Sequence, residues 1–395
     1  MKNRRIAIFT GNRAEYGLQF PIIKAVEAHP GLDYALLVSG AHLDEDFGAT
    51  ASEIERDGLA IHAQVKMNLP GDDLYATTQA VGSGVTNMSD ILRALKPDLL
   101  VVYGDRFEGF AALVSGTQMG IPTAHIEGGD ITEGGALDDS VRHAMTKLAH
   151  LHFTTNDEAS RRVIRLGEER WRVQTVGFPT IDLIKQGLYA SPDELAARYG
   201  LALDRPILLF TQHSIPTELG QVDAQIEPCL AAMEQLASRN YQAVVTYPNN
   251  DAGGKRIIVK LEQLKARAVP GIHVIPSLGR YNYHGVLNLC GNVSGGACVG
   301  NSSSGIKETA ALNAPFVNIG ERQRGRLQAR NVLNVGYDTD AIVAACERAT
   351  EDKRFRAGIR RCKNPYGTGD AGTKVADRLA SVTLDLNLLQ KKMTY

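Results

Sequence analysis

The feature that most constrains this chain is a series of short segments, apolar at consecutive positions, each followed by a stretch with helical periodicity. Residues 98–103 (DLLVVY) and 206–211 (PILLFT) are the plainest cases. A strand that is apolar on both faces must be covered on both sides, and helices between the strands supply that cover. The expected fold class is α/β with parallel sheets.

The alternation occurs twice. In the first half, strands are expected at 5–10, 34–39, 98–103, 122–127, 152–155 and 173–176, with helices at 18–29, 88–95 and 107–119. In the second half, strands at 206–211, 242–247, 273–275 and 315–319, and one ending at 299–301, alternate with helices at 225–239, 257–268, 283–290 and 305–312. A break between Phe178 and Pro206 separates the halves, and Ser191-Pro192 within it form an N-cap and first helical residue. The expected domains are residues 1–185 and 186–370, with 371–395 as a C-terminal helix. Two doubly wound domains imply a ligand cleft, reached from the carboxyl ends of the strands.

A net charge of −1 argues against nucleic acid or an anionic membrane surface as partner, so an anionic ligand would be held by local groups. No stretch approaches the roughly 20 apolar residues of a membrane helix, and residues 6–10 are too short for a signal-peptide core. A cytoplasmic location follows by elimination. The five cysteines form no CxxC pair and no zinc spacing, which is consistent with reduced thiols.

The polar residues with chemical potential cluster where strands end. Gly11-Asn12-Arg13-Ala14-Glu15-Tyr16-Gly17 follows the first strand, and Gly300-Asn301-Ser302-Ser303-Ser304-Gly305 follows one in the second half. Small residues and free N–H groups at a helix start suit a phosphate, and Arg13 adds a forked cation. The first turn is not GxGxxG, which disfavours a dinucleotide. Glu308 stands where a carboxylate could accept ribose hydroxyls. Gly104-Asp105-Arg106-Phe107-Glu108 and His125-Ile126-Glu127-Gly128-Gly129 end two strands, and Asp138-Asp139-Ser140 with Arg142-His143 come next. Such density of ionisable groups points to acid/base work, with structural ion pairing as the alternative. His213 could bind a phosphate or shuttle a proton, or be incidental. His150 and His152, flanking Leu151 near a strand start, are as readily structural as functional, and their spacing does not argue for zinc.

These motifs, in this order from about residue 5 to 335, resemble the hydrolysing UDP-N-acetylglucosamine 2-epimerases. That family shows TGxRADYG, GDRxE, HIEGGE with DDSIRHAITKLSHLHF, FPNxDAG, and GNSSxGxxE with GTRQxGR. The matching stretches here are 10–17, 104–108, 125–130 with 138–153, 247–253, and 300–308 with 320–326.

The resemblance implies two Rossmann-like domains facing a central cleft, the GT-B arrangement, with acid/base residues in the first and UDP bound by the second. It implies chemistry without a cofactor. Anti elimination removes the C2 proton and expels UDP, leaving a 2-acetamidoglucal. Water then adds with the opposite C2 configuration, giving N-acetylmannosamine for sialic-acid-type synthesis. By the family pattern Asp105, Glu127 and Asp138 are the acid/base group, with the identity of the C2 base open, and His213 is counted with them. Arg13, Gly17, Arg106, Ser302, Ser303 and Arg322 correspond to phosphate and nucleotide contacts, Glu308 to ribose, Asn249 to nucleotide or sugar, and His42 to a histidine facing the site. Homodimers or homotetramers are the family's usual assemblies.

The loop 128–137 looks longer than the family pattern and borders the expected sugar pocket. It keeps UDP-2,4-diacetamido-2,4,6-trideoxyglucose, on the legionaminic acid route, open as a substrate. A non-hydrolysing epimerase is a rival, disfavoured because Thr211-Gln212-His213-Ser214-Ile215 lacks a THRxEN run. A GT-B glycosyltransferase and a non-catalytic UDP-sugar sensor are more distant rivals.

Overall fold

A computed structural model describes residues 3–43, 51–67, 73–131, 137–249 and 252–395, apart from the side chains of Arg13, Ala14, Ala41 and Pro216. The chain divides into two compact units, Met1–Asp182 with Gly367–Tyr395, and Leu183–Tyr366.

The first unit contains β1 (Arg4–Thr10), α1 (Arg13–Ala28), β2 (Leu32–Ser39), α2 (Ala51–Arg56), β3 (Ile61–Val65), α3 (Leu74–Leu95) and β4 (Leu99–Tyr103). It continues through α4 (Phe107–Gln118), β5 (Thr123–Ile126), α5 (Leu137–Leu148), β6 (Leu151–Thr154), α6 (Asp157–Arg165) and β7 (Val173–Thr175). Its seven strands are all parallel, in the order β3-β2-β1-β4-β5-β6-β7. Every residue of β4 is buried, as its double-faced apolar sequence requires. One face of the sheet packs with Ile22, Ile23 and Val26 of α1, and the other with Met88 and Leu92 of α3 and Leu113 of α4.

After α7 (Thr180–Lys185), the second unit holds α8 (Pro192–Tyr199), β8 (Ile207–Thr211), α9 (Val222–Ser238), β9 (Gln242–Thr246), α10 (Gly254–Ala266) and β10 (Ile272–Ile275). It then runs through α11 (Gly279–Asn288), β11 (Ala297–Gly300), α12 (Ser303–Lys307), β12 (Phe316–Ile319), β13 (Val332–Val335), α13 (Thr339–Glu351) and α14 (Lys353–Ile359). Its six strands are parallel, in the order β10-β9-β8-β11-β12-β13. The Ser191-Pro192 start of α8 is a capping box: Ser191 Oγ accepts from Glu194 N (3.3 Å) and Glu194 Oε2 from Ser191 N (2.7 Å).

Three expectations are corrected. Helix α1 begins at Arg13 rather than at residue 18, because Asn12 is its N-cap and accepts from Glu15 N at 3.0 Å. Helix α3 extends back to Leu74, through Gly82 and Gly84. Gly84 lies against Met67 and Ala111, where a Cβ would come within 2.7 Å of the Met67 Cε and 3.2 Å of the Ala111 Cβ, and it does not break the helix. The expected C-terminal helix is two helices, α15 (Ala371–Ser381) and α16 (Leu386–Leu389), parted where Val382 turns extended and Asp385 caps the next start. They rejoin the first unit, where Asp182 accepts from the Ala371 and Gly372 N–H groups at the head of α15 (3.0 and 2.7 Å).

Candidate active site

In each sheet the strand order reverses once, between β1 and β4 in the first and between β8 and β11 in the second. Loops leaving such strands diverge, which opens space for a ligand at the carboxyl edge. The motifs 11–17 and 104–108 follow β1 and β4, and His213 and 300–308 follow β8 and β11.

In the first unit the polar groups gather around Arg142, a buried residue of α5. Its guanidinium donates to Asp139 Oδ1 (2.7 Å), the Asp130 carbonyl (3.0 Å) and the Asp105 carboxylate. Burial opposes the charge, but Asp105, Glu127, Asp130 and Asp139 outweigh it and hold the guanidinium above its ordinary pKa. Glu127 directly follows β5 in the left-handed conformation (φ 66°), where a non-glycine residue costs about 1 kcal/mol. The following Gly129 is obligatory, since a Cβ there would lie 2.4 Å from the Ala159 carbonyl. Burial first, then the Glu127 charge, pushes the Tyr103 phenol well above its usual range, so it stays protonated beside that carboxylate. His125 is neutral, lowered to about 3 by burial, and its Nε2 lies 2.7 Å from the Gly104 carbonyl next to Asp105.

Asp138 is exposed in the first turn of α5, close enough for its charge to act on Arg106 and Glu108. The half-exposed Arg106 guanidinium lies 3.8 Å from the buried Glu108 carboxylate. Beneath it, Glu15 accepts from Gly11 N (2.9 Å), and burial followed by the Glu108 charge raises it to about 8. His42 is fully buried, 3.1 Å from Thr10 Oγ1, and burial lowers it to about 4. In this structure it supports the end of β1 and has no open edge. Gly17 lies inside α1 with nothing within 4 Å of a Cβ position, which leaves that face of the helix open. Arg13 opens α1, but its side chain lies outside the described residues, as do positions 132–136 of the loop 128–137.

In the second unit the hub is Asn301, fully buried. Its side chain accepts from His213 N (2.7 Å) and donates to the His213 carbonyl (2.8 Å), while its own carbonyl accepts from Arg322 (3.2 Å) and Gln323 (2.8 Å). One asparagine thus ties together the loops after β8, β11 and β12. His213 Nδ1 accepts from Asn249 N (3.0 Å), and burial, then Arg322, lowers its pKa to about 3. Asn249 Oδ1 also lies 3.2 Å from the same Nδ1, and the ring is neutral, with one nitrogen protonated and the other an acceptor. Ser302 caps α12, Ser303 is its first residue, and Glu308 accepts from Ser304 Oγ with His284 Nε2 at 3.2 Å. Gly300 (φ 120°) allows β11 to approach β8, where a Cβ would meet the Thr211 carbonyl at 2.0 Å. Asn250 and Asp251 lie outside the described residues.

The structure therefore brings Asp105, Glu127, Asp138 and Arg106 to one sheet edge, and His213, Asn249, Ser302, Ser303, Glu308 and Arg322 to the other. Sequence reasoning placed Arg142 in the ionisable cluster and Glu15 and Asn301 in the turn motifs, but gave none of these, nor Tyr103, a role. The i, i+3 spacing of Asp139 and Arg142 on a helix was a readable signal for the first. Nothing local marks Asn301 as a hub. Among the described residues no group of three His, Cys, Asp or Glu side chains is arranged to hold a metal ion, and no helix is long and apolar enough to cross a membrane.

Two Rossmann-like units with polar groups at both switch points place the chain among two-domain α/β proteins of the GT-B type. The structure superposes on that of a Methanocaldococcus jannaschii UDP-GlcNAc 2-epimerase in complex with UDP-GlcNAc and UDP, with a TM-score of 0.71 over 95% of this chain and 99% of the other, at 19% identity. The sequence is 30% identical to the UDP-N,N'-diacetylbacillosamine 2-epimerase (hydrolyzing) of Legionella pneumophila, over 99% of this chain and all of that protein. It is also 30% identical to the UDP-N-acetylglucosamine 2-epimerase of Neisseria meningitidis, over 96% and 94% of the two chains. The family model of UDP-N-acetylglucosamine 2-epimerases matches residues 24–380. The chain belongs to the UDP-N-acetylglucosamine 2-epimerase family.

Proposed function

We propose that this enzyme hydrolyses UDP-N-acetylglucosamine with inversion at C2, releasing UDP and N-acetylmannosamine. The observation that carries the reading is the carboxylate cluster around buried Arg142 at the switch point of the first sheet. A C2 proton is weakly acidic, so its removal needs a fixed carboxylate in a water-poor setting. Asp105, Glu127 and Asp138 are the candidate acid/base groups. The base takes the C2 proton, the C2–H electron pair forms the C1=C2 bond, and the C1–O bond breaks with its pair on the departing UDP. Water then adds its oxygen to C1 while a proton returns to C2 on the opposite face.

The departing diphosphate needs donors where negative charge grows. His213 Nε2–H, the Ser302 and Ser303 hydroxyls, Arg322 and Arg106 have the right chemistry, with Glu308 as acceptor for ribose hydroxyls. We assign His213 a donor's role, since burial and Arg322 hold its ring neutral and the tautomer protonated at Nε2 offers an N–H to the diphosphate. The segment after β8 lacks the THRxEN run, and the Legionella relative is named as hydrolysing, both of which support release of UDP.

The Legionella relative also supports a second reading, the same reaction on UDP-N,N'-diacetylbacillosamine, a 2,4-diacetamido-2,4,6-trideoxy sugar. Initial rates of UDP release from both sugar nucleotides decide between them. The proposal expects the higher kcat/KM for UDP-N-acetylglucosamine. A preference of tenfold or more for the diacetamido sugar establishes the second reading, and no UDP from either contradicts both.

A further inference from the structure

Segment 386–395 is held to the first unit by buried polar contacts. The Lys391 ammonium donates to the carbonyls of Lys147 (2.7 Å) and Ala149 (2.6 Å) and lies 2.8 Å from the Glu168 carboxylate. Those carbonyls belong to the C-terminal end of α5, where a helix leaves acceptors without partners and where a cation is favoured. Glu168 has no exposed side-chain surface and also engages His152 Nε2 (3.0 Å) and Lys147 Nζ (2.5 Å). An ammonium has three protons, and Lys391 meets three close acceptors. The same segment is gripped by Arg172, which donates to the Asn387 and Leu388 carbonyls (2.7 Å each). Gly167 leaves room for the Tyr395 ring, whose Cε1 would lie 2.3 Å from a Cβ there.

The other end of α5 carries Asp138, Asp139 and Arg142. Between the two ends, Thr146 Oγ1 lies 3.0 Å from the Arg142 carbonyl and 3.2 Å from His125 Nδ1, two acceptors that share its one proton. The opposite nitrogen of His125 holds the Gly104 carbonyl, next to Asp105. A continuous run of contacts therefore joins the seat of Lys391 to the carboxylate cluster.

We propose that Lys391 is a positioning residue: by capping the C-terminal end of α5 it fixes the helix on which Asp138 and Arg142 stand. The inference rests on reading that cluster as the acid/base site. A merely structural staple would add stability and leave turnover per folded molecule unchanged.

The test uses the full chain with Lys391→Met and Lys391→Arg. Amide hydrogen exchange is followed along α5, with kcat, KM and UDP affinity measured in parallel. Lys391→Met is expected to speed exchange in the last two turns of α5 while β4 and β5 keep their protection. Its kcat falls about ten- to hundredfold, the scale of a small misplacement of catalytic groups, with UDP affinity within about twofold. Lys391→Arg, which keeps the cation, recovers most of both. Unchanged α5 exchange, or faster exchange with wild-type kcat, overturns the proposal. So does a uniform loss of protection across the first unit with a parallel loss of UDP affinity. If Lys391→Met does not accumulate, Lys391→Gln carries the same comparison. If the wild-type chain shows no epimerase activity, the functional reading fails, while the exchange measurement still decides whether Lys391 caps α5.

Discussion

At the scale of single residues, two carboxylates make opposite demands. Glu127 is held in a left-handed conformation, a cost that a structure keeps where the position itself matters. Glu127→Gln keeps shape and hydrogen-bonding capacity but removes the base. Turnover should fall by about 10²–10⁴ with UDP affinity within about twofold by calorimetry, whereas a collapse of UDP affinity would make Glu127 structural. Glu15, by contrast, is buried and raised to about 8. A folded-state pKa above the unfolded value contributes stability that is fully present below the unfolded pKa and lost as pH rises through the folded one. Glu15→Gln still accepts from Gly11 N but cannot ionise. Its stability relative to wild type should therefore rise between pH 5 and pH 9, by an order of a few kcal/mol; a pH-independent difference in denaturation midpoints would contradict this. The density of acids and bases in 104–108, 125–130 and 138–143 was legible in the sequence. The part of Arg142 was not, because its bond to Asp105 spans 37 residues and depends on β4 and β5 being neighbours. Likewise His213 Nδ1 is met by the backbone N–H and the side-chain oxygen of Asn249, from a loop that no local pattern connects to it.

At the scale of elements, the double-faced apolar strands were read correctly because burial on both sides leaves a composition no exposed segment shares. The helices were harder. Gly17 of α1 stood in a segment read as a turn, yet it lies inside the helix and leaves an open face, and the first turns of α3, where Gly84 approaches Met67 and Ala111, were not read as helix at all. Strands β3 and β13 are short and only partly buried, and neither stood out in the sequence. Gly300 offers a direct test of how closely β8 and β11 must approach. Gly300→Ala places a methyl 2.0 Å from the Thr211 carbonyl in a left-handed backbone, and should destabilise the chain by at least about 2 kcal/mol in denaturant titration. Unaltered stability and UDP binding would mean that this edge tolerates rearrangement.

At the scale of the whole chain, two doubly wound halves were foreseeable from the repeated alternation, whereas the return of the final segment to the first unit was not. That return depends on Asp182, Arg172 and Lys391 finding partners about 190 to 245 positions away, contacts that no local pattern encodes. The division of labour predicts a kinetic split. Asp105→Asn should lower kcat with UDP affinity retained, and Arg322→Met should weaken UDP binding about tenfold, as loss of a charge-assisted contact does. Equal effects of both variants on UDP affinity would contradict separate roles for the two sheet edges. The central claim, elimination followed by hydration, is tested most directly by proton NMR of the enzyme with UDP-N-acetylglucosamine in deuterated water. Free UDP together with N-acetylmannosamine deuterated at C2 is the predicted result. Deuterium entering C2 while the sugar stays linked to UDP, or free sugar that keeps its C2 proton, would contradict it.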